Sequence, residues 1–233
     1  MDITPELIKD ADEVFEKFVA FLASLTPSAT DGESGTFYHI VTALSSATQK
    51  NYVVLRRAFE TEDDAMLAWS CRNLLELFAF TKFALGSKVN ALEFAGHRLI
   101  DIEEIAKKLK QLELQIDSSL TSSTLDPLLA QVAAQMAAEE VSGSRFLSAR
   151  DLISRLPKTD ELSIDEFDIV NKLCSKFVHP TVWSLLTSNE AAERFPLAFE
   201  LFYGLGAKYM LAIYVKVREH IREHGLYHRP TDL

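Results

Sequence analysis

Residues 65–85 read AMLAWSCRNLLELFAFTKFAL, without glycine or proline. Leucine, phenylalanine, alanine and methionine fall on nearly every side of a helix built from this stretch. A helix that is apolar all round belongs in the middle of a protein rather than on its surface. Yet near its middle it carries Arg72, Asn73 and Glu76. Arg72 and Glu76 are four apart and share one helix face. An exposed pair is better with the acid first, and here the order is reversed, so surface stabilisation explains the pair poorly. Charges on a mostly buried helix need partners from elsewhere in the fold. The pair therefore reads either as a polar knot that orients helices or as part of a binding or catalytic cluster.

The flanks of this stretch are punctuated as helix boundaries. Thr61 is expected to cap it, with Glu62, Asp63 and Asp64 in the first turn, where acids favour the helix dipole, and Gly86 stops it. Upstream, Thr4 and Pro5 suit the start of a helix over 5–24, whose apolar stripe includes Leu7, Ala11, Val14, Phe15, Phe18 and Leu22. The polar run 26–35, TPSATDGESG, reads as a loop before a second helix at 36–60. Downstream, Leu92, Ala95, Leu99, Ile102, Ala106, Leu109 and Ile116 form a heptad-like seam on a helix at 88–116. The link 117–124, DSSLTSST, is short. It predicts an antiparallel hairpin with a helix at 125–142 that Gly143 ends, projecting from the main bundle.

The remaining chain reads as a short helix at 149–156 capped by Ser148 and followed by Pro157. A helix capped by Ser163 ends at Pro180, a short one lies near 181–187, and a last long helix runs from 189 to 224. Pro196 either kinks that last helix or marks its true start, and Gly225 stops it. Gly204-Leu205-Gly206 lies inside it and suits close helix packing.

Composition agrees with an all-α reading. In 233 residues there are only 8 glycines and 7 prolines, too few for the turns of an all-β chain. Hydrophobic residues at 48% and charged residues at 25% are globular values. The expected architecture is one helical domain over 1–233, a multi-helix bundle with the hairpin 88–142 projecting. The apolar run 195–215 is long enough to suggest a membrane span, but Glu200 and Lys208 inside it argue against insertion. A net charge of -10 excludes a generally basic nucleic-acid-binding surface. The two cysteines, Cys71 and Cys174, sit in apolar helical patterns; with no signal segment evident, they are expected to be buried free thiols of a cytoplasmic protein.

His179 is the second candidate for chemistry. It stands at a helix C-terminus, which favours imidazolium, and helical spacing lines it up with Ser175, Lys172 and Asp168. It reads either as a cap on the last carbonyls or as a general acid, a general base or an anion contact. The run His220-x-x-Glu223-His224 has the inverted zinc-protease spacing, but only nine residues follow it, too few to supply the third ligand. No phosphate-binding glycine loop, paired-cysteine motif or dinucleotide fingerprint is present, and no metal or cofactor is expected.

The motifs Arg72-Asn73-Leu74-Leu75-Glu76 and Ser175-Lys176-Phe177-Val178-His179-Pro180 resemble those of a bacterial helical family of unknown function. That family has an R-x-x-x-E helix and a later S-x-x-x-H-P helix end. The layout over 36–215 is also similar in outline to the HEPN superfamily, helical bundles that include RNases and toxin–antitoxin or phage-defence proteins. The resemblance implies a metal-independent RNase site. Arg72, Glu76 and His179 would form its catalytic group, with Asn73, Lys172 and Ser175 binding beside them. Histidine would move a proton at a ribose hydroxyl, and arginine would stabilise charge on phosphorus. Leu77, however, stands where active members carry histidine, and the nearest suitably spaced base before His179 is Lys172 rather than arginine. Two C-terminal pairs, Arg218 with His224 and Arg222 with His228, match the spacing only formally. The leading expectation is therefore a non-catalytic binding or regulatory protein whose partner is another protein or a second copy, and the resemblance implies a toxin–antitoxin or defence locus as its setting. RNA is a partner only in the nuclease alternative.

Overall fold

The computed structural model describes residues 4–24, 26–27, 32–116, 122–139, 141, 147–156, 163–179, 196–224 and 227–228. Among them are eight α-helices: α1 (Pro5–Ala23), α2 (Gly32–Glu60), α3 (Asp64–Ala84), α4 (Lys88–Ile116), α5 (Asp126–Ala138), α6 (Ala149–Arg155), α7 (Ile164–Val178) and α8 (Pro196–His224). The fold is an all-α multi-helix bundle. The one departure is a two-residue antiparallel ladder, β1 (Thr26–Pro27) with β2 (Tyr227–His228), which ties the segment after α1 to the segment after α8. No described helix is long and apolar enough to cross a membrane.

The quoted stretch is the central helix. α3 packs most extensively on α8 and α2, then on α7, α6 and α4. Its inner faces bury Leu67, Cys71, Leu74, Leu75, Phe78 and Ala79 within one continuous core. α2 and α8 approach closely at Gly206, where a Cβ would stand 2.6 Å from Cδ2 of the buried Leu55. Only glycine fits there without movement of a packed side chain.

Side-chain caps explain several helix starts. Thr4 Oγ1 accepts from Leu7 N–H at 3.3 Å, Ser148 Oγ from Asp151 N–H at 3.1 Å, and Ser163 Oγ from Glu166 N–H at 3.0 Å. At α3 the cap is Asp63 rather than the expected Thr61: its Oδ1 accepts from Met66 N–H at 2.9 Å. Thr61 instead turns back and donates to the Arg57 carbonyl at 2.9 Å, while Glu62 takes a positive φ of 55°. The reversal between α2 and α3 thus needs three residues, and the capping position moves two along.

Two boundaries differ from expectation. α2 begins at Gly32, four residues earlier than the sequence reading, and α5 ends at Ala138, four residues earlier, with Val141 N–H reaching back to the Met136 carbonyl at 2.9 Å. Gly143, Pro157, Pro180, the expected short helix near 181–187, the first part of the expected 189–224 helix and the stop at Gly225 lie outside the described residues.

The hairpin of α4 and α5 forms as expected, but the seam is different. Leu99 and Ala106 are buried, whereas Leu92, Ile102, Leu109 and Ile116 are exposed. The heptad pattern mixed two faces of one helix. The turn end of the hairpin is held by polar bonds: Glu113 accepts from Ser123 Oγ and from Thr124 Oγ1, and Lys110 pairs with Asp126 at 2.5 Å.

Candidate functional site

α3 is not sealed on every side. One stripe along it reaches solvent, running from Met66 and Trp69 to Arg72, Asn73 and Glu76. The steps of three and four place these residues on one face, between α2 and α7. Arg72 and Glu76 are each 30% exposed, so the pair is half-buried rather than bathed in water. Arg72 Nε donates to Glu76 Oε1 at 3.1 Å, and its Nη1 donates to Ser175 Oγ on α7 at 3.4 Å. Ser175 in turn donates to the Asn171 carbonyl one turn earlier, at 2.7 Å. On the other side, Asn73 Nδ2 donates to Asn51 Oδ1 on α2 at 3.1 Å. Two adjacent residues of α3 thereby bridge to two different helices. Asn171 Oδ1 is buried beside this line without a hydrogen-bond donor among the described residues.

The six candidates divide. Arg72, Glu76 and Ser175 form one bonded group, and Asn73 adjoins it. His179 and Lys172 are exposed on α7 and are not hydrogen-bonded to Arg72 or Glu76. The His179 backbone N–H closes α7 on the Ser175 carbonyl at 3.2 Å, so the residue works as a C-cap through its main chain. Chemically, the Arg72 guanidinium already has a carboxylate beside it. An incoming phosphate would compete with Glu76 for the same charge.

Behind this stripe the core holds both thiols. The Cys71 thiol pairs with Cys174, and that contact together with burial pushes it up, so it stays protonated. Among the described residues no group of three or more His, Cys, Asp or Glu side chains could hold a metal ion. His220 and His224 stack on each other at 4.2 Å and against Phe37. Burial, then the charges of His224 and Lys216, lowers the His220 pKa to about 4, and the Leu85 backbone works in the other direction.

A second polar cluster escaped the sequence reading. Tyr52 OH donates to Asp12 Oδ1 at 2.9 Å and lies 3.4 Å from Tyr203 OH. Arg56 Nε donates to Asp12 Oδ2 at 3.0 Å, and Arg56 also pairs with Glu60 at 2.9 Å. Burial, with Tyr203 and Asp12 adding to it, raises the Tyr52 phenol far above its ordinary value and keeps it protonated, able to donate to Asp12. The cluster joins α1, α2 and α8. A comparable latch joins α7 to α8, where Glu166 accepts from Lys208 at 2.9 Å and from Tyr209 OH at 3.2 Å. No spacing rule links positions so far apart in the chain, so neither cluster had a local signature.

The chain matches no known family model, no curated protein and no solved structure.

Proposed function

We propose that this chain is a non-catalytic helical binding protein of the cytoplasm, acting as a regulator in a bacterial toxin–antitoxin or defence setting. The observation that carries the non-catalytic part is the pairing of Arg72. Its charge is answered by Glu76 and one further N–H is given to Ser175, while the His179 side chain is exposed at the end of α7. A general acid or base must lie within hydrogen-bond reach of the reacting group and be matched to an electrophilic partner. Here the partner is neutralised by its own neighbour. The stripe Met66, Trp69, Arg72 and Glu76 has the make-up of a contact surface, since exposed tryptophan and arginine are enriched where proteins meet. The bacterial setting rests on the motif resemblance alone.

One observation favours a second reading. Ser175, which Arg72 touches, is one helical turn before His179 on the same helix. In that reading the chain is a metal-independent RNase with Arg72, Glu76 and His179 as its working group. The two are separated by incubating single-stranded RNA with the wild-type chain and with Arg72→Ala and His179→Ala variants in the presence of a chelator. The binding reading expects intact RNA in all three. Cleavage by the wild type that either variant abolishes overturns it.

A further inference from the structure

Among the described residues, the outer face of α4 carries the longest run of exposed large apolar side chains. Ile102, Ile105, Leu109, Leu112 and Ile116 follow one another at alternating steps of three and four. This is the repeat of a helix that pairs with another helix along a seam. All five are exposed, from 40% at Ile102 to 78% at Ile116. The opposite face of α4 already has its partners, with Leu99, Ile100 and Ala106 buried. α4 therefore carries two apolar seams, one used within the chain and one without a partner among the described residues.

The charges beside the outer seam show what could cover it. Residues 101–110 read DIEEIAKKLK, with acids in the first half and bases in the second. Reversing the direction of the run exchanges acid for base and leaves apolar positions apolar. Some of these charges are engaged within the chain: Lys107 pairs with Glu103 at 2.9 Å and Lys110 with Asp126 at 2.5 Å. Among the described residues Asp101, Glu104 and Lys108 have no ion-pair partner, and these three line a shallow groove with Ile105 and Leu109. Burial raises the Asp101 carboxyl above its ordinary range; His97 opposes that effect and Glu104 adds to it. The groove thus offers two acids at one end and one base at the other, along an apolar floor.

We infer that this face is a self-association surface, on which α4 of a second copy lies antiparallel across a two-fold axis passing close to Ile105. In that arrangement Asp101 and Glu104 of each copy face Lys108 of the other, and Ile102 meets Leu109. A parallel arrangement would set acid on acid and base on base. A two-fold contact uses the same patch twice and closes after two copies, so the product is a dimer rather than a filament. With each α5 behind its α4, the two hairpins form a four-helix bundle. The inference is independent of the reading given to Arg72 and His179, which lie on other helices.

Sedimentation equilibrium of the full chain from about 1 to 300 µM tests this, a range that brackets ordinary self-association. The mass is expected to rise from 26.2 kDa toward twice that value. Ile105→Glu with Leu109→Glu should keep the helical circular dichroism, since both residues are exposed, and should hold the chain monomeric across the range. Lys108→Glu alone, and Asp101→Lys with Glu104→Lys alone, should each weaken self-association about tenfold by setting like charges face to face. Mixed in equal amounts, these two charge variants should recover wild-type association, because every facing pair becomes opposite again. A wild-type chain that stays monomeric at the top of the range overturns the inference. So does a dimer that is indifferent to Lys108→Glu, or a mixture that associates no better than its parts.

Discussion

α3 and α4 are neighbouring helices whose leucine, isoleucine, phenylalanine and alanine residues are similar in combined number, yet they are used in opposite ways. α3 buries residues on nearly all sides and leaves a single stripe in contact with water. α4 is longer but buries only Ala91, Leu99, Ile100 and Ala106. On α3 the polar side chains are the exception: Arg72 pairs with Glu76 and reaches Ser175 on α7, and Asn73 reaches Asn51 on α2. On α4 the outward apolar side chains are the exception, and nothing within the described chain covers them. Hydrophobic content thus states how much surface a helix can bury, while the number of neighbours decides how much it does bury. α3 has five helices around it and α4 has three, α5, α3 and α2.

Substitutions in the two regions should separate accordingly. The largest effect is expected at Leu74, fully buried on α3. Leu74→Ala should cost about 2–5 kcal/mol in urea unfolding, from lost burial plus the cavity left behind. A loss below about 1 kcal/mol there would erase the contrast between the helices.

Next comes the pH response of the bundle beside α3. His220 is 3% exposed and has a pKa lowered to about 4 from an ordinary 6.5. The unfolded chain takes up this proton near pH 6.5 and the folded chain only near 4. The contribution is therefore complete above about 6.5 and is lost as pH falls from there toward 4, by on the order of 2–3 kcal/mol. Thermal melts at pH 7 and pH 5 should show the fall, and His220→Gln should flatten it.

Smaller changes are expected at the polar joints. Tyr52→Phe removes the hydroxyl shared with Asp12 and Tyr203 and should cost about 1–2 kcal/mol, a typical value for a buried hydrogen bond. Arg72→Ala should cost less, about 0.5–1 kcal/mol, because water screens a pair of this exposure. A cost above about 3 kcal/mol would mean a fully desolvated pair and would make α3 still more unlike α4. At the far end of the scale, Ile105→Ala measured at micromolar concentration should lie within about 0.5 kcal/mol of the wild type. A larger loss would mean that the outer seam of α4 already packs within one chain.

The sequence carried the helices well where their punctuation is local. Thr4 with Pro5, Ser148 and Ser163 mark starts that the bundle uses, and α4 runs from 88 to 116 as its pattern predicts. Legibility failed where a choice depends on what lies across the bundle. A helix with two apolar seams gives a periodicity that fits either face, so Leu109 and Ile116 were grouped with Leu99 and Ala106. Thr61 was read as a cap because the positive φ of Glu62 has no sequence mark when the residue is not glycine. Of the candidate site, the Arg72–Glu76 pair was visible from its spacing and its unsuitable surroundings. Its link to Ser175 is a contact between helices 103 positions apart in the chain, and only the fold brings it about. The Asp12, Tyr52, Arg56 and Tyr203 joint was invisible for the same reason.

Cys71 and Cys174 are the chain's two cysteines, and they meet between α3 and α7 with no surface open to water. A thiol reagent can modify neither until that helix pair parts. The speed at which a dye attaches then reports how often the centre of the bundle opens, without any cysteine having to be introduced. The protein thus carries its own gauge of internal breathing, placed directly beneath the stripe where Arg72 and Ser175 touch.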